Sequence, residues 1–370
     1  MLLLIVYLGL FILAMAFPRS KYLTIAIALF MLFIFSFAWH EGDLEVYEWV
    51  YRDLYTGRFN THYEPGFVTV MWVCKKMGMS FTGFRLVLGI YNTAIAYRFV
   101  RKQTNYHAIA MALYALFPFF MFASVLRSGV ASAFVLLAVE QLIKGNSDKK
   151  KYVFFIILAI LFHYSSVLFL PFILFTGKIK KNWLAEAFAG MCVLAFFVNY
   201  TDVIYSVVSR YTQREKIIGW LMKSEASANL NGIMAIIIIL TALFYLNYRS
   251  IHGAPALNLE GYCDSGLRDN QIKISYQMSV YMMFLSPLMV LASPILRIPY
   301  MVFLLFIVSA VNIAYRNRGN HLYRCHSTMM INFSWVALLL TVLLWKFYAD
   351  LPYLKNGAHV FGEYLDSQFR

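Results

Sequence analysis

Asp43, Glu64, Arg127, His163 and Arg297 are the residues of this 370-residue chain whose types and settings best suit chemistry. Asp43 and Glu64 belong to a polar island, WHEGDLEVYEWVYRDLYTGRFNTHYEPG, that holds six of the 18 carboxylates (Glu41, Asp43, Glu45, Glu48, Asp53, Glu64) between apolar runs. Charge beside hydrocarbon is costly and is mostly kept for chemistry or for a wet path. Arg127 ends one apolar run, FPFFMFASVL, and begins another, SGVASAFVLLAV, with no acid near it in sequence. A guanidinium held there suits a diphosphate or sugar ligand, because its planar fork matches phosphate oxygens. Arg297, in SPILRIPY, follows the same logic, and Arg210 and Arg214 lie in a stretch that could close over a substrate. His163, in LFHYSS, is the histidine set inside an apolar segment; a near-neutral imidazole is a natural general base. Ser165 and Ser166 stand ready to set its tautomer or to touch a ligand. The plainer readings are an arginine that snorkels to headgroups and a histidine satisfied by packing partners.

The elements that must hold these residues are apolar helices. Hydrophobic residues make up 61% of the chain and charged ones 14%, and runs long enough to cross a bilayer, about 20 residues each, recur from end to end. The chain therefore reads as an all-α polytopic membrane protein, a single integral membrane domain over 1–370 with about ten transmembrane helices. Met1–Phe17 is apolar without a basic start or an A-x-A-like site, and reads as an uncleaved anchor. Cys74, Cys192, Cys263 and Cys325 lack C-x-x-C spacing, so neither a disulfide framework nor a zinc site is expected. A net charge of +14 in such a chain reflects basic loops facing anionic lipid and excludes no function except a nucleic-acid footprint.

Spans are expected near 1–17, 21–38, 82–100, 105–125, 128–143, 184–200, 230–248, 273–292, 298–315 and 327–346. The apolar run 152–175 is expected to be re-entrant, because an eleventh crossing would put Lys178, Lys180 and Lys181 outside against the positive-inside bias. Two half-helices of about 11 residues, each about 16 Å long, would leave His163 beside a cavity that covers the broken backbone. Both termini then lie outside the cytoplasm. Residues 39–81 form an extracytoplasmic loop with two interfacial helices, 201–229 a second such loop, and 249–272 a cytoplasmic loop. In the first, Asp43–Tyr55 has helical periodicity with Leu44, Tyr47, Tyr51, Leu54 and Tyr55 on one stripe, and Asp43 shares that face. A second helix starts at Glu64-Pro65 and runs to about Lys76. Arg85 reads as an ion-pair partner for the island's acids, and Glu140 and Glu186 as ordinary boundary residues near inner helix ends.

Glu41-x-Asp43 is too sparse for a metal cluster, and nothing resembles a nucleophilic triad or a phosphate-binding glycine loop. A transporter would place charge at mid-membrane and show repeated halves. Here the charges gather at one surface, which fits transfer of a sugar from a lipid-linked diphosphate. The order and spacing of Asp43-LEV-Tyr47-EWV-Tyr51, Glu64-Pro65-Gly66-Phe67, Arg127-SGVA, LF-His163-YSS and Arg297-IP-Tyr300 resembles the EpsG family of bacterial exopolysaccharide polymerases, similar in role to the Wzy O-antigen polymerases, over about residues 30–315. Ser128 stands where the family typically has glutamine. The resemblance implies a GT-C-like membrane glycosyltransferase that joins undecaprenyl-diphosphate-linked repeat units at the outer face of the bacterial inner membrane; from the residues, neither a cofactor nor a metal is expected. It implies that Arg127 and Arg297, with Arg210, hold the diphosphate, and that His163, or else Asp43 or Glu64, takes the acceptor proton. Tyr47 and Tyr51 would line the glycan path, with Ser165 and Tyr300 as further substrate contacts. The implied partners are the lipid-linked glycan as donor and acceptor, the bilayer, a chain-length regulator and a flippase, with no nucleic acid. A flippase or an acyltransferase for the polysaccharide is the alternative reading.

Overall fold

The computed structural model describes residues 2–37, 43–54, 63–144, 148–177, 265–285 and 297–316, and every element among them is helical. In chain order these are α1 (Leu2–Ala16), α2 (Lys21–Phe37), α3 (Asp43–Asp53), α4 (Pro65–Lys76), α5 (Phe81–Gln103) and α6 (His107–Tyr114). A π-helical turn (Ala115–Phe119) leads to α7 (Phe120–Ser124), followed by α8 (Leu126–Ile143), α9 (Lys149–Phe162) and a 3₁₀ segment (Tyr164–Phe175). Then come α10 (Ser265–Leu285), α11 (Ile298–Met301) and α12 (Phe303–Arg316). Among the described residues one helix, α8, is long and apolar enough to cross a membrane, and shorter apolar helices include Ile5–Ala16, Lys21–Phe37 and Phe303–Tyr315. The expected spans 184–200, 230–248 and 327–346 lie outside the described residues.

α8 is the axis of the packing. Nearly all of its residues are buried, with α5 and α9 on its flanks and α11 tied on by the Ser132 hydroxyl, which donates to the Met301 carbonyl at 3.0 Å. Small residues (Ser128, Gly129, Ala131, Ser132, Ala133) let these neighbours come close. α1 joins α6 through the Tyr7 hydroxyl, which donates to the Ala112 carbonyl at 3.0 Å.

Three expectations are corrected. The span expected over 105–125 is broken at Phe117, whose backbone is extended (φ −162, ψ 135); Pro118 offers no N–H and disfavours helical geometry in the residue before it. The loop expected over 249–272 is already helical from Ser265. The second arm of the re-entrant segment is a 3₁₀ helix, not an α-helix, and buries Ser166, Phe169 and Phe172 at the period of three that such a helix presents on one side.

The fold-back itself is as expected. Asp148 caps α9, its carboxylate accepting from the Lys151 N–H at 3.0 Å, and α9 ends at His163, which is extended (φ −157, ψ 109). Seventeen residues apart, the Tyr152 hydroxyl donates to the Phe169 carbonyl at 2.6 Å, and the Tyr152 and Phe172 rings lie 6.4 Å apart. A straight helix would separate them by about 25 Å, so the arms form a hairpin with His163 at its tip.

The α3–α4 pair closes over this tip. Glu64 precedes α4 in extended geometry with Pro65 at the first helical position, and Gly78 (φ 74) turns the chain from α4 into α5, where the Ser80 hydroxyl accepts from the Gly83 N–H at 3.1 Å. Gly66 lies directly against the end of α9: a Cβ there would sit 2.8 Å from the Leu161 carbonyl oxygen. Gly66→Ala should therefore cost about 1–3 kcal/mol by overpacking and lower the thermal midpoint. Gly9→Ala, in α1 with nothing within 4 Å of the added Cβ, should leave it unchanged or raise it by the helix-propensity gain of roughly 0.5–1 kcal/mol. Equal midpoints for the two variants in a thermal-unfolding assay would contradict the close approach.

Candidate active site

Three elements far apart in sequence bring their ends to one point: the start of α4, the start of α8 and the tip of the hairpin. Arg127, the second residue of α8, sits at the positive end of that helix's dipole, a poor place for a guanidinium without a counter-charge. Glu64 supplies it. Arg127 Nη1 donates to Glu64 Oε2 at 2.6 Å, and only 4% of the Glu64 side chain is exposed. Nε of Arg127 donates to the Tyr47 hydroxyl at 3.0 Å, and its guanidinium lies 4.6 Å from the centre of the Tyr63 ring, a cation–π distance. These contacts leave Nη2 without a partner among the described residues, in a side chain 20% exposed.

The other Glu64 oxygen faces the hairpin. Oε1 accepts from the Tyr164 backbone N–H at 3.3 Å and lies 3.5 Å from His163 Nδ1, too long for a full hydrogen bond but close enough to bias the ring. His163 is buried, and among the described residues neither ring nitrogen has a hydrogen-bond partner. A carboxylate beside Nδ1 favours the proton on that nitrogen and leaves Nε2 as the free acceptor. Arg297, immediately before α11, comes to the same end, with Nη1 3.5 Å from Asp43 Oδ2. The Ser166 hydroxyl, 3.7 Å from Met301 Sδ, ties α11 to the hairpin.

Burial alone would raise the Glu64 pKa, but the contact with His163 and the charge and hydrogen bond of Arg127 outweigh it and bring the carboxyl down to about 2. Tyr47 is pushed up to about 12, chiefly by burial, with Arg127 pulling the other way, so the phenol stays neutral and offers its oxygen to the guanidinium. Among the described residues no group of three or more His, Cys, Asp or Glu is placed to hold a metal ion.

Residues 21–356 match the model of the EpsG family. The chain belongs to the EpsG family. It is a family of membrane proteins associated with polysaccharide polymerase activity. No curated protein and no solved structure matches the chain.

In this EpsG-family chain the residues singled out from sequence divide three ways. Glu64, Arg127 and His163 meet, with the Tyr47 hydroxyl oxygen accepting from Arg127 Nε and Asp43 and Arg297 paired beside them. Tyr47 and Tyr51 are buried, the first ring against Phe67 and the second against Phe81 and Phe84, and the Tyr51 hydroxyl donates to the Met79 carbonyl at 2.8 Å. The apolar stripe of α3 packs on protein, so those rings carry the fold. Tyr300 is likewise buried, edge-on to Phe117 at 4.9 Å, whereas Ser165 is half-buried next to the tip. Arg210 lies outside the described residues, as does the rest of the loop 201–229. Arg85, expected to pair with the island's acids, interacts electrostatically with one of them, Glu48, and donates to the Phe35 carbonyl at 2.7 Å. Tyr63, absent from the sequence reading, is the platform under Arg127, and its place directly before Glu64-Pro65 was the available signal.

The lowered Glu64 pKa fixes the sign of a pH effect. With the folded value near 2 and the ordinary value near 4.5, the stabilisation by Glu64 is complete above the ordinary value and fades as pH falls through the folded one. Glu64→Gln should therefore lower the thermal midpoint at pH 7, and the gap to wild type should narrow as pH drops from about 4.5 toward about 2. A gap that is constant across this range would show that the carboxylate's charge is not what matters.

Proposed function

We propose that the chain is a polysaccharide polymerase that joins oligosaccharide repeat units carried on undecaprenyl diphosphate at the outer face of the bacterial inner membrane, for O-antigen, capsule or exopolysaccharide. The observation that carries the reading is the buried Glu64 carboxylate seated between Arg127 at 2.6 Å and His163 at 3.5 Å. One arginine edge, one imidazole nitrogen and one orienting carboxylate are what this transfer needs in one place. Membership in the EpsG family supports the same reaction class.

In the proposed step the acceptor hydroxyl attacks the anomeric carbon of the donor, the bond from that carbon to the diphosphate oxygen breaks, and the hydroxyl proton passes to His163 Nε2. The imidazolium so formed faces Glu64, which stabilises it as the aspartate of a hydrolase triad does. Arg127 Nη2 and Arg297 neutralise the charge that develops on the departing diphosphate, with Arg210 joining from the loop 201–229. Glu64 is already ionised and committed to Arg127, which makes it an orienting group; His163 is the better base. Asp43 holds Arg297 in place.

The membrane arrangement follows from the same reading: a multi-pass protein with about ten spans, both termini extracytoplasmic, the hairpin as a re-entrant segment, α3 and α4 at the outer interface, and a chain-length regulator and a flippase as partners. The chemistry needs no metal, since two guanidinium groups cover the phosphate charge.

The deciding assay incubates purified protein with a lipid-linked repeat unit and separates the products on a gel. A ladder of longer chains is expected. Unchanged substrate that has crossed the bilayer would mean a flippase, and an acylated product an acyltransferase. His163→Asn and Arg127→Lys should each cut the laddering rate by about 100-fold or more; near-normal ladders from the first would remove the base, and from the second the diphosphate contact.

A further inference from the structure

Glu140 lies thirteen residues along α8 from Arg127, about 20 Å away, at the opposite end of the helix that is long enough to cross a membrane. It is 2% exposed, and a single carboxylate oxygen, Oε1, meets three cations: Arg98 Nη2 at 3.1 Å, Lys102 Nζ at 2.9 Å and Lys144 Nζ at 3.8 Å. The cations are 42, 48 and 49% exposed. Asp148, the next acid along the chain, is taken up by Lys151 at 3.1 Å. Three positive charges gathered on one negative charge leave an excess of two, and like charges held this close repel one another. An isolated buried carboxylate needs one good partner, not three. The surplus sits on side chains that are half exposed at the end of the span, with Lys144 Nζ also donating to Gln141 Oε1 at 3.0 Å.

We propose that Arg98, Lys102 and Lys144, pinned by Glu140, form a binding site for the phosphate of an anionic phospholipid headgroup. At the end of a membrane-spanning helix the nearest phosphates belong to lipid, and each exposed cation adds about a fivefold preference for an anionic over a neutral surface. Glu140 holds the cations at a set spacing, so the lipid meets an organised site and not three wandering side chains. The inference rests on α8 as a span, not on the polymerase reaction. A bound lipid would fasten the far ends of α5 and α8 together and so steady the helix that carries Arg127 at its other end.

The test titrates full-length protein in neutral detergent with tail-labelled phosphatidylglycerol, followed by anisotropy, with unlabelled phosphatidylcholine and inorganic phosphate as competitors. Wild type should bind phosphatidylglycerol and release it to neither competitor. Lys102→Gln/Lys144→Gln keeps Arg98 and two amide donors for Glu140, so the carboxylate is not orphaned; it should bind about 25-fold more weakly and still produce ladders. Lys102→Arg/Lys144→Arg should bind as wild type does. Unchanged affinity in the glutamine variant, equal competition by phosphatidylcholine, or displacement by inorganic phosphate would each overturn the proposal. Loss of ladders in wild type with lipid binding intact would count against the polymerase reading alone.

Discussion

A carboxylate that is almost wholly buried can stay ionised only if its surroundings replace the water it has lost, and the site end of this molecule is organised around that requirement at Glu64. One oxygen is given to Arg127 and the other to the backbone of Tyr164 and the edge of His163. Each of these groups depends on Glu64 in turn. Without it Arg127 would face the positive end of its own helix, and His163 would lose the neighbour that selects its tautomer. Three elements far apart in sequence thus have their ends registered at this point by one side chain.

α8 converts this local arrangement into a longer one. It carries an arginine satisfied by one glutamate at one end and a glutamate satisfied by two lysines and an arginine at the other. Between them it is apolar and packed on nearly every side. A helix with charge confined to its two ends cannot slide along its axis without drawing a charge into the apolar interior, which is costly. Its height relative to α5 and α9 is therefore set at both ends, and with it the position of the Arg127 guanidinium.

Much of this was legible in the sequence, for physical reasons that can be named. The hairpin followed from charge bias: the lysines after residue 177 group with the other basic loops only if 152–175 turns back, and the break comes at His163, where the run turns polar in His163-Tyr164-Ser165-Ser166. The start of α4 followed from Glu64-Pro65, since proline fits the first helical turn and little else. The pairing of Glu64 with Arg127 was not legible, because nothing in a linear pattern relates residues 63 positions apart. The partners of the α3 tyrosines are not legible either, because an amphipathic stripe reads the same whether it rests on lipid or on protein. Glu140 reads as a boundary residue in the sequence, yet a signal is present: Lys144 follows it by one helical turn, and Arg98 and Lys102 are spaced to share one face of α5.

The contact between Gly66 and Leu161 bears on how accurately the site is built. Most helix contacts are cushioned by side chains that can change rotamer and absorb a small error in position. Here main chain rests on main chain, two residues from Glu64 and two from His163, and peptide units have no such freedom. The separation of carboxylate and imidazole is thus inherited from covalent geometry: the contact acts as a mechanical stop, giving the pair the same spacing each time the chain folds.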